Sequence, residues 1–306
     1  MHLTYASRTD VGMIRAGNED AVYAEADPLR GIFMVADGMG GHAAGEVASA
    51  MAVQIVTRTI APLQKQTDQD AEVALKAALQ DANRAIFERT IAEVDKQGMG
   101  TTASVLMLSR GRFLIGQIGD SRIYRARDGT LQQLTKDHSY VQEQVDAGYL
   151  TPEQARYHPY SNVITRCVGA SRDVEADTYQ GDVQSGDVFL VASDGLTGMV
   201  DDTRLQEILS SGLSPGRLVD MLIAEANGRG GLDNITAVVV KVMSVDNPTP
   251  TETTPVVDAD KQPDSEAPTA PGPPSAGSPS PGSPDAGQPR QRRTPTLPFP
   301  IVVPRR

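Results

Sequence analysis

The sequence predicts an α+β fold in which two β-sheets pack together and helices lie outside them. Strands and helices arrive in batches instead of strict alternation, the pattern of layered α+β domains. Residues 31–36 form a continuous apolar run, consistent with a buried strand. Helical segments mark one face only: Val47, Met51 and Ile55 recur every fourth residue, and Leu75, Leu79, Ala82 and Ile86 follow the 3.6-residue period.

In chain order, strands are expected over 3–8, 21–25 and 31–36, followed by those two helices. Strands return over 103–108, 113–118 and 123–126, where Asp128-Gly129 turns the chain into 131–134. A helical insertion over about 137–162 comes next, with one helix near 140–145 and another opened by Thr151-Pro152-Glu153, which has the cap-then-proline order of a helix start. Strands over 163–168, 176–180 and 188–192, helices over 205–209 and from Ser214-Pro215 to Ala226, and a strand over 235–242 complete the domain, 1–243.

Five of the 21 prolines precede residue 246, and the others crowd the remainder of the chain among Ser, Thr, Gly and Ala. Such a segment buries too little apolar surface to offset its ordering entropy, so 244–306 reads as a disordered tail. The chain carries a formal net charge of −11, nearly all of it before the tail. An acidic domain repels nucleic acid and anionic lipid. With a single cysteine, Cys167, there is no intrachain disulfide. The sequence shows no signal pattern and no apolar run near the roughly 20 residues of a membrane span, which leads us to expect a cytoplasmic protein, a monomer without a membrane anchor.

Four aspartates stand at the ends of strand patterns: Asp37, Asp120 and Asp194 after apolar runs, and Asp233 before Asn234-Ile235-Thr236. One such residue is an ordinary turn aspartate. Four that converge would repel one another and require cations, and all-oxygen ligands suit Mg²⁺ or Mn²⁺ over Zn²⁺. Paired cations of this kind activate water for hydrolysis of a phosphate ester without a covalent intermediate.

The ordered motifs Arg15-Ala16-Gly17-Asn18-Glu19-Asp20, Val35-Ala36-Asp37-Gly38-Met39-Gly40-Gly41-His42, Gly100-Thr101-Thr102-Ala103, Gly119-Asp120-Ser121-Arg122, Ser193-Asp194-Gly195-Leu196 and Asp233-Asn234-Ile235-Thr236 resemble those of protein phosphatase 2C. The segment from His158 to Arg166 resembles the flap-to-strand region of the bacterial branch. This resemblance implies a β-sandwich between helical layers with a metal centre at one end. It implies that Asp37 bridges two metals, that the Gly38 carbonyl ligates the first, and that Asp194 and Asp233 hold the second. Asp20 would act through metal-bound water, and Asp120 with Asp194 would form a weaker third site. Arg15 matches the position that holds the substrate phosphate, a task suited to a planar fork of donors. His42 is the candidate proton donor to the leaving oxygen. The implied enzyme is a serine/threonine phosphatase acting on phosphorylated proteins, serine/threonine kinases or their substrates among them.

Two other enzyme readings fail on the residues. Gly38-x-Gly40-x-x-Ala43 has the spacing of a dinucleotide fingerprint, but Asp37 would set a negative charge beside the pyrophosphate, and no acid-ended strand follows at the required distance. A cysteine phosphatase would need arginine at 173, where the chain has Asp173. An inactive binding module on the same fold would be expected to have lost its metal aspartates.

Overall fold

Alternation along β3 (Arg30–Met39) sets the layering of the molecule. Successive side chains of a strand point to opposite faces. Ile32, Met34 and Ala36 enter one apolar core with Ala48, Ala52, Leu75 and Leu79 of the helices outside, while Phe33 and Val35 enter another with Phe189, Val191, Val238 and Val240 of the opposite sheet. Both faces are therefore covered, and the run 31–36 is apolar throughout for that reason.

The computed structural model describes residues 1–28, 30–40, 43–62, 68–245 and 303–304. After β1 (His2–Asp10), β2 (Asp20–Ala26) and β3 come the long helices α1 (Ala43–Ile60) and α2 (Asp68–Ala92). Then follow β4 (Gly100–Thr101), β5 (Ala103–Ser109), β6 (Arg112–Ile118), β7 (Arg122–Arg127) and β8 (Thr130–Gln133). The insertion carries α3 (Tyr140–Asp146) and α4 (Pro152–Arg156), and leads into β9 (Val163–Ile164), β10 (Asp177–Asp182) and β11 (Val188–Ala192). The short α5 (Asp194–Thr197), α6 (Asp202–Leu209), α7 (Pro215–Gly228), β12 (Ile235–Ser244) and β13 (Val303–Pro304) complete the order.

One sheet runs β1-β12-β11-β7-β8 and the other β10-β6-β5-β3-β2, with β4 paired to β3. Every pairing in them is antiparallel. The sheets meet through the middle core, where Phe113 and Phe189 touch edge to face at 6.0 Å. Outside the first sheet, α6 and α7 cover Leu190, Ala192 and Val239 with Leu205, Leu218 and Leu222. Burying a side chain of this size is worth about 1.5–3 kcal/mol. The expected sandwich between helical layers is thus present.

The insertion begins as its sequence suggests. Ser139 caps α3, and Thr151 caps α4 in a reciprocal capping box with Gln154, with Pro152 in the first turn. Two local expectations change. The strand expected over 163–168 ends at Ile164; beyond it Arg166 pairs with Asp177, and the chain rejoins pairing as a bridge from Val168 to Thr101. Asp194 opens α5 instead of merely ending a strand. Cys167 is buried and lies outside the strands among the described residues.

Strand β12 runs to Ser244, and Val245 packs on the middle core, so the described domain reaches slightly past residue 243. Of the tail expected to be disordered, the structure describes Val303–Pro304, which pair antiparallel with Ile164 and Val163 of β9. The rest of that expectation lies outside the described residues. No helix among the described residues is long and apolar enough to cross a membrane.

Candidate metal and phosphate site

The antiparallel register of β2 and β3 sets Asp20 directly opposite Asp37 at one end of their sheet. Asp37 is buried. Its backbone is fixed by Thr102, whose Oγ1 accepts the Asp37 N–H at 2.9 Å and whose N–H donates to the Asp37 carbonyl at 2.9 Å. The Thr101 hydroxyl donates to that same carbonyl at 3.0 Å. Thr102 thus holds the Asp37 backbone at both its N–H and its carbonyl.

Gly38 follows, donating its N–H to the Glu19 carbonyl at 3.1 Å. A Cβ at this position would stand 2.2 Å from the Gly45 carbonyl oxygen and 2.5 Å from that of Glu19, so no side chain fits. The backbone of β3, the loop before β2 and the start of α1 close on one another here.

From the other sheet, the Ser193 hydroxyl donates to Asp20 Oδ2 at 2.9 Å and accepts the Thr236 N–H at 2.9 Å. Asp194 follows Ser193 at the start of α5, and a Cβ on Gly195 would touch the Asn234 carbonyl at 2.0 Å. Asn234 braces the loop that carries Arg15: its amide donates to the Val11 and Gly17 carbonyls at 3.0 and 2.9 Å, and its Oδ1 accepts the Glu19 N–H at 2.8 Å. Next to it, Asp233 Oδ2 accepts a 2.8 Å hydrogen bond from Arg15 Nη2. Asp20, Asp37, Asp194 and Asp233 are therefore linked through direct neighbours at one end of the sandwich.

Asp120 is buried beside them, in the turn between β6 and β7. On one side, the Ser121 hydroxyl meets Thr102 Oγ1 at 2.8 Å. On the other, Gly119 donates its N–H to His138 Nδ1 at 3.0 Å. His42 lies outside the described residues.

The donor set fits a hard cation. It consists of carboxylate oxygens and a backbone carbonyl, without His or Cys among the residues assigned, which matches Mg²⁺ or Mn²⁺. Among the described residues, no three His, Cys, Asp or Glu side chains already form a closed cation cage. The Arg15–Asp233 ion pair engages one carboxylate of the set.

Several supporting residues escaped the sequence reading. Ser193 and Asn234 lie inside motifs whose aspartates drew attention, and their own tasks show only once β11, β12 and the Arg15 loop are adjacent. Ser139 caps α3, while Asp137 and His138 before it take other partners. Asp137 instead receives Arg122 through contacts of 2.7 to 3.0 Å. Nothing local in the sequence pairs them.

Comparisons with known proteins show the family to which the chain belongs. The family model described as Protein phosphatase 2C matches residues 15–221. The serine/threonine phosphatase stp of Listeria welshimeri is 40% identical over 247 residues, covering 79% of this chain and 96% of that protein. The crystal structure of the Mycobacterium tuberculosis serine/threonine phosphatase PstP/Ppp superposes with a TM-score of 0.71 at 41% identity, covering 78% of this chain and 98% of that one. A PstP catalytic domain in complex with two manganese ions gives 0.70 at 38% identity, over 79% of this chain and 99% of that one.

The fold, with a carboxylate-lined centre at one end of its sandwich, defines a phosphatase of the metal-dependent type. The chain belongs to the protein phosphatase 2C family, in its bacterial branch.

Proposed function

We propose that this protein hydrolyses phosphoserine and phosphothreonine in other proteins at a binuclear Mn²⁺ or Mg²⁺ centre. The observation that carries the reading is the linkage of Asp20, Asp37, Asp194 and Asp233 at one end of the sandwich, with Asp120 beside them. The two manganese ions of the related PstP domain support the choice of cation.

Asp37 and the Gly38 carbonyl, held by Thr102 and the Glu19 backbone, are assigned to the first cation, and Asp194 and Asp233 to the second. Asp120 with Asp194 is assigned to a third, weaker site. When bound, such cations supply an activated water and neutralise charge on the transferring phosphoryl group. Asp20, steadied by the Ser193 hydroxyl, orients that water. Arg15 presents a planar fork to the phosphate. His42 is assigned the proton for the leaving serine or threonine oxygen.

The substrates in this reading include serine/threonine kinases and their targets, and the enzyme works as a cytoplasmic monomer. Hydrolysis of a phosphothreonine peptide that depends on added Mn²⁺ and stops in chelator tests the reading. Full activity in chelator contradicts it.

A further inference from the structure

Asp120 is clamped from both sides along the chain. On the Ser121 side, the carbonyl accepts hydrogen bonds from Ser104 Oγ at 3.0 Å and Gln117 Nε2 at 2.7 Å. On the Gly119 side, Gln117 Nε2 also donates to the carbonyl at 3.0 Å, and the amide is held by His138. Gly119 N–H donates to His138 Nδ1 at 3.0 Å, and the His138 backbone N–H donates to the Gly119 carbonyl at 2.9 Å. Gly119 has φ +103°, and a Cβ there would lie 2.5 Å from Thr102 Cγ2, so its backbone follows the placement of these bonds instead of a side chain of its own, and its N–H is placed by His138.

Because Nδ1 accepts the Gly119 N–H, the neutral ring carries its proton on Nε2. Nε2 lies between Asp177 Oδ2 at 3.2 Å, which accepts that proton, and Arg166 Nη1 at 3.1 Å, whose own hydrogen bond goes to Asp177 Oδ1 at 2.7 Å. The His138 carbonyl accepts the Thr165 N–H at 2.9 Å. His138 and Thr165 stand at the two ends of the helical insertion, so the imidazole touches the base of the flap on one side and the turn that bears Asp120 on the other. It is 6% exposed, and ring reorientation would break contacts on both sides.

We propose that His138 is the positioning residue of the Asp120 cation site: through Nδ1 it fixes the Gly119 amide and so the aim of the Asp120 carboxylate, and through Nε2 and Asp177 it ties that aim to the flap base. The inference rests on the metal-dependent reading above and concerns the third site alone. Asp37 is held by Thr102, and Asp233 by the Asn234 N–H and by Arg15, contacts that do not involve the imidazole.

The test uses Mn²⁺ calorimetry on the full chain, with thermal unfolding of the metal-free protein as a control of folding. His138→Leu removes the acceptor, His138→Asn restores one near the Nδ1 position, and Asp177→Ala, at a half-buried site, releases the ring without emptying the core. The expected result is two tight sites at wild-type affinity in all three variants. The weakest site should lose about tenfold or more in affinity in His138→Leu, less in Asp177→Ala, and be restored to within about threefold by His138→Asn. Should His138→Leu fail to fold, Asp177→Ala against wild type reads the same effect. Wild-type affinity at the weakest site in the folded variants overturns the proposal, as does equal weakening of every site. If the wild-type chain itself neither binds Mn²⁺ nor needs it for turnover, the metal-dependent reading fails first, which separates the two claims.

Discussion

Arg15 Nη2 donates to Asp233 Oδ2 at 2.8 Å, so the guanidinium assigned to phosphate and the carboxylate assigned to a cation hold each other. Both side chains are partly exposed, at 33% and 26%, so solvent screens the pair. Arg15→Ala therefore removes both a phosphate ligand and a competitor for Asp233. The apparent KM for a phosphothreonine peptide should rise about tenfold, in the range of a lost charge-assisted hydrogen bond, while kcat changes less. Calorimetric Mn²⁺ affinity should hold or tighten. An unchanged KM would return Arg15 to an ordinary surface arginine.

Gly38→Ala tests the backbone closure at the centre. Its Cβ would meet two carbonyl oxygens at 2.2 and 2.5 Å, neither of which belongs to a side chain that can swing away. We expect a loss of about 3 kcal/mol in urea unfolding without metal, with weakened Mn²⁺ binding. Wild-type stability and metal affinity would mean that the loop before β2 gives way freely.

His138 gives a pH signature. Burial, reinforced by the positive charge of Arg166, pushes its pKa below the ordinary value against the pull of Asp177 and Asp137. The unfolded chain, with a histidine near pH 6.5, then binds the proton more readily than the native state. This contribution to stability is present above about pH 6.5 and lost as pH falls through the lowered native value. Burial opposes the charge on Asp177, but hydrogen bonds from Arg166 and His138 outweigh it and hold that carboxyl below its usual range, outside this window. Urea unfolding at pH 7, 6 and 5 should show the wild-type advantage over His138→Asn shrinking toward acid. A constant gap would mean that His138 does not titrate this way.

Ending the chain after Asn247 removes the β13–β9 pairing but leaves Val245 on the middle core. Peptide hydrolysis should remain within about twofold and the Tm within a few degrees, since the cut spares every core layer. Global unfolding on truncation would make the tail part of the folded domain.

Much of the fold was legible because strand and helix periods differ and the apolar run 31–36 marks a doubly covered strand. Asp37, Asp120, Asp194 and Asp233 were legible as acids beside strands. Their supports were not: Ser193 reaches Asp20, and Asn234 reaches the Arg15 loop, across long stretches of sequence that only sheet topology brings together. The break after Ile164 was hidden for a related reason. Residues 163–168 look like a strand, but pairing stops at Ile164 and returns at Val168 through Thr101, a partner distant in sequence.

The central claim is that Asp37 and its neighbours hold the cations that drive hydrolysis. The most direct measurement is the initial rate of phosphothreonine-peptide hydrolysis against Mn²⁺ concentration, for the wild-type chain and Asp37→Asn, after chelator treatment. The account predicts no turnover without Mn²⁺, saturable activation of the wild type, and a rate lower by several orders of magnitude in Asp37→Asn at every concentration. Turnover by the metal-free chain, or an Asp37→Asn enzyme activated like the wild type, would contradict it.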